Sequence, residues 1–543
     1  MPTTGIHHVT AIASDPQRNV NFYTGVLGLR LVKRTVNFDD PGTYHLYYGD
    51  EGGSPGSILT FFPWAGAARG VQGAGAVIAT AFAVPKGSLE AWAAMLRVKG
   101  VTMGKEGIVT RFGERVLALE DHDGMRLELV ETDWASRMPT FKAGGIGPEA
   151  AIRGFHSVTL CVRDAERSAP MLTEVLGYRR IGEEGARTRF RAGDEPAGDG
   201  VPLGAMLDLL ASADAPGTRL GAGVVHHVAI RARDGVQQAS FAGALERAGF
   251  SPTEVRDRTY FRSIYYRERS GVLFEIATDA PGFGVDEPAE SLGSALKLPA
   301  FVERRRAQLE QSLEPLHVPS PGEPDLAIHQ HRFEAEADAK DRPTLILLHG
   351  TGGDERDLLP LGRTLSPEAN LLSPRGNVLE NGQPRFFKRL REGVFDLEDM
   401  AIRSEQLAQF LEAARARYRF DPARSTIVGF SNGANIAASM LLRGERGLTP
   451  IRSAILIRAM VPFTPKTLPN LGETTSPDGA RVPAARVLLL SGDADPIVPT
   501  ENAERLASML RDAGAHVTHK VLSAGHSLAR QDLDEAQQWL QVG

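Results

Sequence analysis

Apolar and polar positions repeat along the first half of the chain, and several stretches begin in the same way. His8-Val9-Thr10-Ala11-Ile12-Ala13-Ser14-Asp15, Ser157-Val158-Thr159-Leu160-Cys161-Val162-Arg163-Asp164 and His227-Val228-Ala229-Ile230-Arg231-Ala232-Arg233-Asp234 each read as an apolar strand ending in Asp. A helical segment closed by Gly follows each one, over residues 21–28, 171–177 and 241–249. A fainter copy begins at residues 79–84, with a helix over 89–99 and Gly100 as its stop. Every unit then ends on a Gly-led strand, at 56–62, 124–129, 204–209 and 271–276. The pattern predicts four βαβββ modules over residues 5–278, an α+β region with modules 1 and 2 in 1–136 and modules 3 and 4 in 154–280. A Gly/Pro-rich stretch from Met138 to Gly154 separates the halves.

Past Asp279 the pattern loosens. A charged amphipathic helix is expected over 299–313, and Pro315, Pro319, Pro321 and Pro324 then mark an extended linker, so 281–328 joins two domains. From about His329 the runs Thr344-Leu345-Ile346-Leu347-Leu348 and Val487-Leu488-Leu489-Leu490 are continuously apolar, as buried parallel strands are. Helical segments such as 397–418 alternate with them. Residues 329–543 therefore read as an α/β domain with a mostly parallel sheet.

Composition narrows the function classes. A length of 543 residues calls for several domains. The net charge of −6, with no dense Lys/Arg run, argues against a nucleic-acid partner. No apolar stretch approaches the ~20 residues of a membrane span, and no signal-peptide pattern opens the chain. Cys161 is the single cysteine and lies in an apolar strand, which excludes an intrachain disulfide and fits a core position in a reducing, cytoplasmic compartment. Small molecules are the expected partners, and homo-oligomerisation is left open.

Two constellations carry chemistry. The doublets His7-His8 and His226-His227 occupy matching positions of modules 1 and 4, and Glu275 sits inside the apolar strand that closes module 4. Strand alternation puts His8, Thr10 and Ile12 on one face, with His7 and Val9 on the other. Two imidazoles and one carboxylate form the ligand set of a non-haem Fe(II) site with open positions, and Mn(II) shares those preferences. Thr60 stands where module 1 would offer the counterpart of Glu275, leaving room for substrate and O₂ together. Modules 2 and 3 offer Glu128 and Asp208 but no histidine, with Ser157 at the matching place, so that cavity is expected to be metal-free.

The second constellation is Gly429-Phe430-Ser431-Asn432-Gly433, which runs from strand through tight turn to helix as a nucleophile elbow does. Asp495, with Asp493 as its competitor, and His526 follow past later strands in the order a hydrolase triad needs. Backbone amides for an oxyanion are expected at Thr351, in His349-Gly350-Thr351-Gly352-Gly353, and at Asn432.

Residues 1 to about 315, and above all Asp257-Arg258-Thr259-Tyr260-Phe261-Arg262-Ser263-Ile264-Tyr265-Tyr266 before Gly271-Val272-Leu273-Phe274-Glu275, resemble the vicinal-oxygen-chelate ring-cleaving dioxygenases of the hydroquinone and chlorohydroquinone branch. The resemblance implies Fe(II) on His8, His227 and Glu275. It also implies pocket roles for His7 and Thr10 toward substrate, and for His226, Arg258 and Tyr265 in catalysis. The later part, with Ser373-Pro374-Arg375-Gly376-Asn377-Val378, Glu380-Asn381-Gly382 and Arg385-Phe386-Phe387, is similar to α/β-hydrolase carboxylesterases/phospholipases related to dienelactone hydrolases. A dienelactone hydrolase proper carries Cys where Ser431 stands, which favours ester over lactone chemistry. The expected enzyme is bifunctional, acting on aromatic diols and on esters. Two other readings remain at this point: a metal-dependent glyoxalase-like or thiol-transfer enzyme, and a non-catalytic quinone- or drug-binding module, either one fused to the esterase.

Overall fold

The computed structural model describes residues 2–138, 146–193, 203–318, 326–335, 339–444, 451–475 and 481–542. Pro319, Pro321 and Pro324 of the expected linker, and 139–145 of the stretch between the halves, lie outside the described residues. The chain divides into two compact units, Met1–Pro321 and Gly322–Gly543.

In the first unit the four modules form as their periodicity requires. Module 1 comprises the strand Ile6–Ala13, a helix Pro16–Val20 running on into a wider turn Asn21–Val26, and the strands Arg30–Val36, Tyr44–Gly49 and Ile58–Pro63. Module 4 comprises Val225–Ala232, the helix Gly235–Arg247, and the strands Arg256–Asp257, Arg262–Arg267 and Leu273–Thr278. The Asp that ends three of the opening strands has a direct job. Asp15, Asp164 and Asp234 each accept a backbone N–H from the first turn of the helix that follows, supplying one of the partners that a helix start lacks.

The sheets do not follow the sequence halves. One eight-stranded sheet joins module 1 to module 4, and the other joins module 2 to module 3. In the first, Ile6–Ala13 runs antiparallel to Val225–Ala232, with His8 opposite Ala229 and Thr10 opposite His227. Thr10 lies beside Thr60, as Ala229 lies beside Glu275. That register makes His8 and His227 pseudo-twofold equivalents, and likewise Thr60 and Glu275. The opening strand of a module is left with a free edge, and pairing two such edges satisfies both.

Matching positions in the second sheet hold ion pairs. Arg111 donates to Glu128 through Nη1 at 2.9 Å, while Arg189 Nε and Arg187 Nη1 reach Asp208 at 2.8 and 3.1 Å.

The helix expected over 299–313 is shorter, a 3-10 turn Glu303–Arg305 followed by Arg306–Ser312. Val302, Leu309 and Leu313 of this stretch are buried against the first unit. The segment before it is anchored by Lys33, whose fully buried ammonium lies 2.6 Å from Asp286 and 2.5 Å from Glu287. Removing one partner of a buried pair strands the other. Lys33→Met should therefore lower stability by about 3 kcal/mol, read as a drop in the urea midpoint; an unchanged midpoint would refute the anchor.

The second unit carries a seven-stranded sheet in the order His331–Glu334, Asn370–Pro374, Thr344–Leu348, Ser425–Phe430, Ser453–Ile457, Arg486–Gly492, His516–Leu522. Every neighbouring pair is parallel except the edge strand His331–Glu334 on Asn370–Pro374. The helix Leu397–Tyr418 has the bounds its periodicity predicts, with Asp396 as cap.

Candidate metal centre and candidate nucleophile site

Sheet curvature in the first unit brings His8, His227 and Glu275 together. Their ligand atoms all lie within 4.8 Å of one another, and all three residues are buried. Glu275 Oε2 is 2.9 Å from His227 Nε2 and 3.3 Å from His8 Nε2. His227 Nε2 and Glu275 Oε2 are buried and face each other as an ion pair, with no well-formed hydrogen bond to any other group. Lone pairs buried side by side and unsatisfied are costly, and a divalent cation between them would satisfy both. Burial pushes the His227 imidazole below its usual range, toward the neutral form. Burial would raise the Glu275 carboxyl, but His8 and His227 outweigh it and hold it well below the carboxylate range. A neutral imidazole and an ionised carboxylate are the forms a metal binds.

Both His8 and His227 contact their sequence neighbours. His7 Nδ1 and His8 Nδ1 are 2.9 Å apart, and His226 Nδ1 and His227 Nδ1 2.8 Å. Ser263 Oγ donates to Glu275 Oε1, and Phe261 packs against His8 with ring centres 4.9 Å apart.

A cavity of about 460 Å³ opens beside these groups. Thr10, His226, Arg258 and Tyr265 line it; His7 is not among its lining residues. The resemblance had implied that His7 meets substrate. Its ring stands edge-on to His8 and Phe261, next to a register shift between Ile6 and His8. Arg258 Nε reaches the Tyr265 hydroxyl at 3.3 Å, and its Nη2 reaches Asp39 at 3.0 Å. Burial raises the Tyr265 hydroxyl well above its ordinary range, so it stays a donor. His226 is pushed down to about 3 by burial and by His227.

Sequence reasoning missed His45. Its Nε2 lies 2.9 Å from Thr60 Oγ1, which donates to Thr10 Oγ1, also at 2.9 Å; the Tyr47 hydroxyl meets its Nδ1 at 2.9 Å. Tyr47 pairs with Thr60 as Tyr265 pairs with Glu275, so extending the repeat to the third strand of each module would have found it. Phe62, Trp64 and Asp39 also line the cavity and were missed as well.

In the second unit Ser431 sits at φ 49°, ψ −110° between the strand Ser425–Phe430 and the helix Asn432–Arg443. Glycine is forced beside it: a Cβ at Gly433 would lie 2.0 Å from the Leu348 carbonyl oxygen. Gly433→Ala should cost about 3 kcal/mol and remove most soluble hydrolase activity, checked by thermal unfolding and ester turnover; native stability would contradict the crowding. Ser431 Oγ is 2.9 Å from His526 Nε2, and His526 Nδ1 is 2.8 Å from Asp495 Oδ2. Asp495 Oδ1 is fixed by the amides of Ile497 and Val498. Asp493 instead accepts from the Ala524 amide at 3.2 Å. Thr351 Oγ1 accepts from Arg385 at 2.7 Å, a contact the sequence did not announce. The Asn432 side chain accepts from the Phe386 amide, leaving its backbone N–H, at the start of the helix, to serve another group.

These two sites, each on its own fold, define a two-unit enzyme. Residues 5–129 and 154–276 match the Glyoxalase/Bleomycin resistance protein/Dioxygenase superfamily, and 329–542 match Phospholipase/Carboxylesterase. The chain belongs to both families, a vicinal-oxygen-chelate unit of the ring-cleaving-dioxygenase type followed by a carboxylesterase-type α/β-hydrolase unit. It is 46% identical over 316 residues to "Putative ring-cleaving dioxygenase MhqO" of Bacillus subtilis, covering 58% of this chain and 97% of that one. It is 44% identical over 195 residues to "Putative hydrolase MhqD" of the same organism, covering 36% and 90%. A crystal structure of a B. subtilis dioxygenase described as putative aligns with TM-score 0.54 and 45% identity, over 59% of this chain and 99% of that one. Among the described residues no helix is long and apolar enough to cross a membrane.

Proposed function

We propose that the first unit is an Fe(II)-dependent extradiol-type dioxygenase that opens the ring of a hydroquinone- or catechol-like substrate, and that the second is a Ser431–His526–Asp495 carboxylesterase. Mn(II) suits the same donors. The observation that carries the metal reading is the buried set His8, His227 and Glu275, whose ligand atoms all lie within 4.8 Å of one another. The substrate class is supported by a relative from Sphingobium indicum named chlorohydroquinone/hydroquinone 1,2-dioxygenase, 33% identical over 315 residues, 57% of this chain and 95% of that one.

A metal held by His8, His227 and Glu275 would supply open positions for a diol oxygen and for O₂. Ligation through Nε2 requires the proton of His227 on Nδ1, so His226 Nδ1 accepts it and keeps its own proton on Nε2. His226 thereby offers a neutral donor to an oxygen in the cavity. Arg258 and Tyr265 add two donors for a phenolate in a cavity whose wall also carries Phe62, Trp64, Phe261 and Asp39. In the second unit His526 Nε2 takes the Ser431 proton as Oγ attacks an ester carbonyl, Asp495 holds Nδ1–H, and the Thr351 and Asn432 amides receive the developing oxyanion. The substrates are small aromatic diols and esters handled in the cytoplasm.

The test is oxygen uptake by anaerobically Fe(II)-loaded protein, with hydroquinones compared against catechols and ring loss followed by ultraviolet absorbance. Uptake matched to ring loss is expected. Stoichiometric iron without uptake would overturn the dioxygenase reading.

A further inference from the structure

We infer that Arg458 is a positioning residue for the hydrolase site, holding the His526 loop in register with Ser431; this rests on the reading of Ser431, His526 and Asp495 as the working set. Arg458 follows the strand Ser453–Ile457 at φ 58°, a left-handed conformation unusual for a residue with a side chain. Its side chain is fully buried, as is Asp532. The two form a bidentate pair, Nη1 to Oδ1 at 2.8 Å and Nη2 to Oδ2 at 2.9 Å. The remaining Nε–H donates to the carbonyl of Gly525, the residue before His526, at 2.8 Å.

The main chain completes the clamp. The Arg458 N–H donates to Leu490 O at 2.9 Å, on the strand that leads to Asp495. The carbonyl of its neighbour Ile457 accepts the Ser431 N–H at 2.9 Å. Arg458 and its neighbour Ile457 thus join the three chain segments that carry Ser431, Asp495 and His526. Asp532 is fixed in turn by the Ala529 N–H, at the start of the helix Arg530–Gln541, so the C-terminal helix is part of the device.

Stability alone does not account for this choice, because a buried ion pair is often no better than two packed apolar side chains. What an apolar pair lacks is a donor aimed at Gly525. Lysine also falls short, since one ammonium cannot present the planar fork that meets Asp532 and Gly525 in fixed directions.

Two variants test the role, Arg458→Lys and the double replacement Arg458→Met with Asp532→Leu, which removes both charges together. The readouts are kcat and KM for p-nitrophenyl butyrate, the rate of covalent labelling of Ser431 by a fluorophosphonate, and cooperative thermal unfolding. With unfolding still above the assay temperature, kcat and labelling rate should fall about 10- to 100-fold while KM stays within about twofold. Arg458→Lys decides the matter if the double variant does not fold. Wild-type kcat in a folded variant overturns the inference, as does a loss that only tracks the unfolded fraction. Failure of the underlying reading looks different: wild-type protein would hydrolyse no ester, or Ser431→Ala would match it, and this role would fall with it.

Discussion

His227→Ala protein should take up no oxygen with any aromatic diol and should retain no stoichiometric iron, while its ester hydrolysis matches wild type. The substitution removes one of three donors from a buried set, leaving Glu275 Oε2 facing only His8 across 3.3 Å. Metal-dependent chemistry is worth several kcal/mol in the transition state, so the loss should be about 10³-fold or more. A chelator applied to wild-type protein should give the same split, with ring cleavage lost and ester turnover untouched. Full-rate ring cleavage in folded His227→Ala protein would remove His227 from the centre. Loss of both activities in folded protein would instead sink the independence of the two sites.

Ser431→Ala should give the mirror image. Ester hydrolysis should drop by up to about 10⁶-fold in kcat, because the nucleophile, its base and the orienting carboxylate act as a unit. Diol-dependent oxygen uptake should not change. The alanine removes only Oγ and its 2.9 Å contact to His526 Nε2, and the strained turn itself is fixed by Gly433 against Leu348. The variant should therefore fold with near-native stability, and circular dichroism with a melting curve would check it. Residual turnover within tenfold of wild type would mean that another group attacks the ester.

Much of this was readable from periodicity and spacing. The repeat of strand, Asp, helix and Gly located four modules because an opening strand and a capped helix leave strong local marks. The caps at Asp15, Asp164 and Asp234 show why that Asp recurs. The helix Leu397–Tyr418 kept its predicted bounds, since a long amphipathic segment with an Asp cap is specified locally. Asp495 and Asp493 could not be separated by spacing alone; the fold separates them by turning Asp495 to His526 and Asp493 to the Ala524 amide. His45 was missed because its partner Thr60 is an unremarkable residue on another strand. Alternation put His7 off the face that carries His8, but its bond to His8 could not be read from the pattern.

The sequence by itself determined the modules, the parallel α/β unit, the two matched histidine doublets, Glu275, and the order Ser431, Asp495, His526. These are encoded in local periodicity and residue chemistry, which act over a few neighbouring positions. The tertiary structure alone decided the strand register that joins module 1 to module 4, the bond between His7 and His8, the ion pairs of Arg111 with Glu128 and of Arg187 and Arg189 with Asp208, and the reach of Arg458 to Gly525. Those outcomes turn on which free strand edges meet and on the angstrom-scale aim of buried side chains, and both are fixed only when distant segments pack against one another.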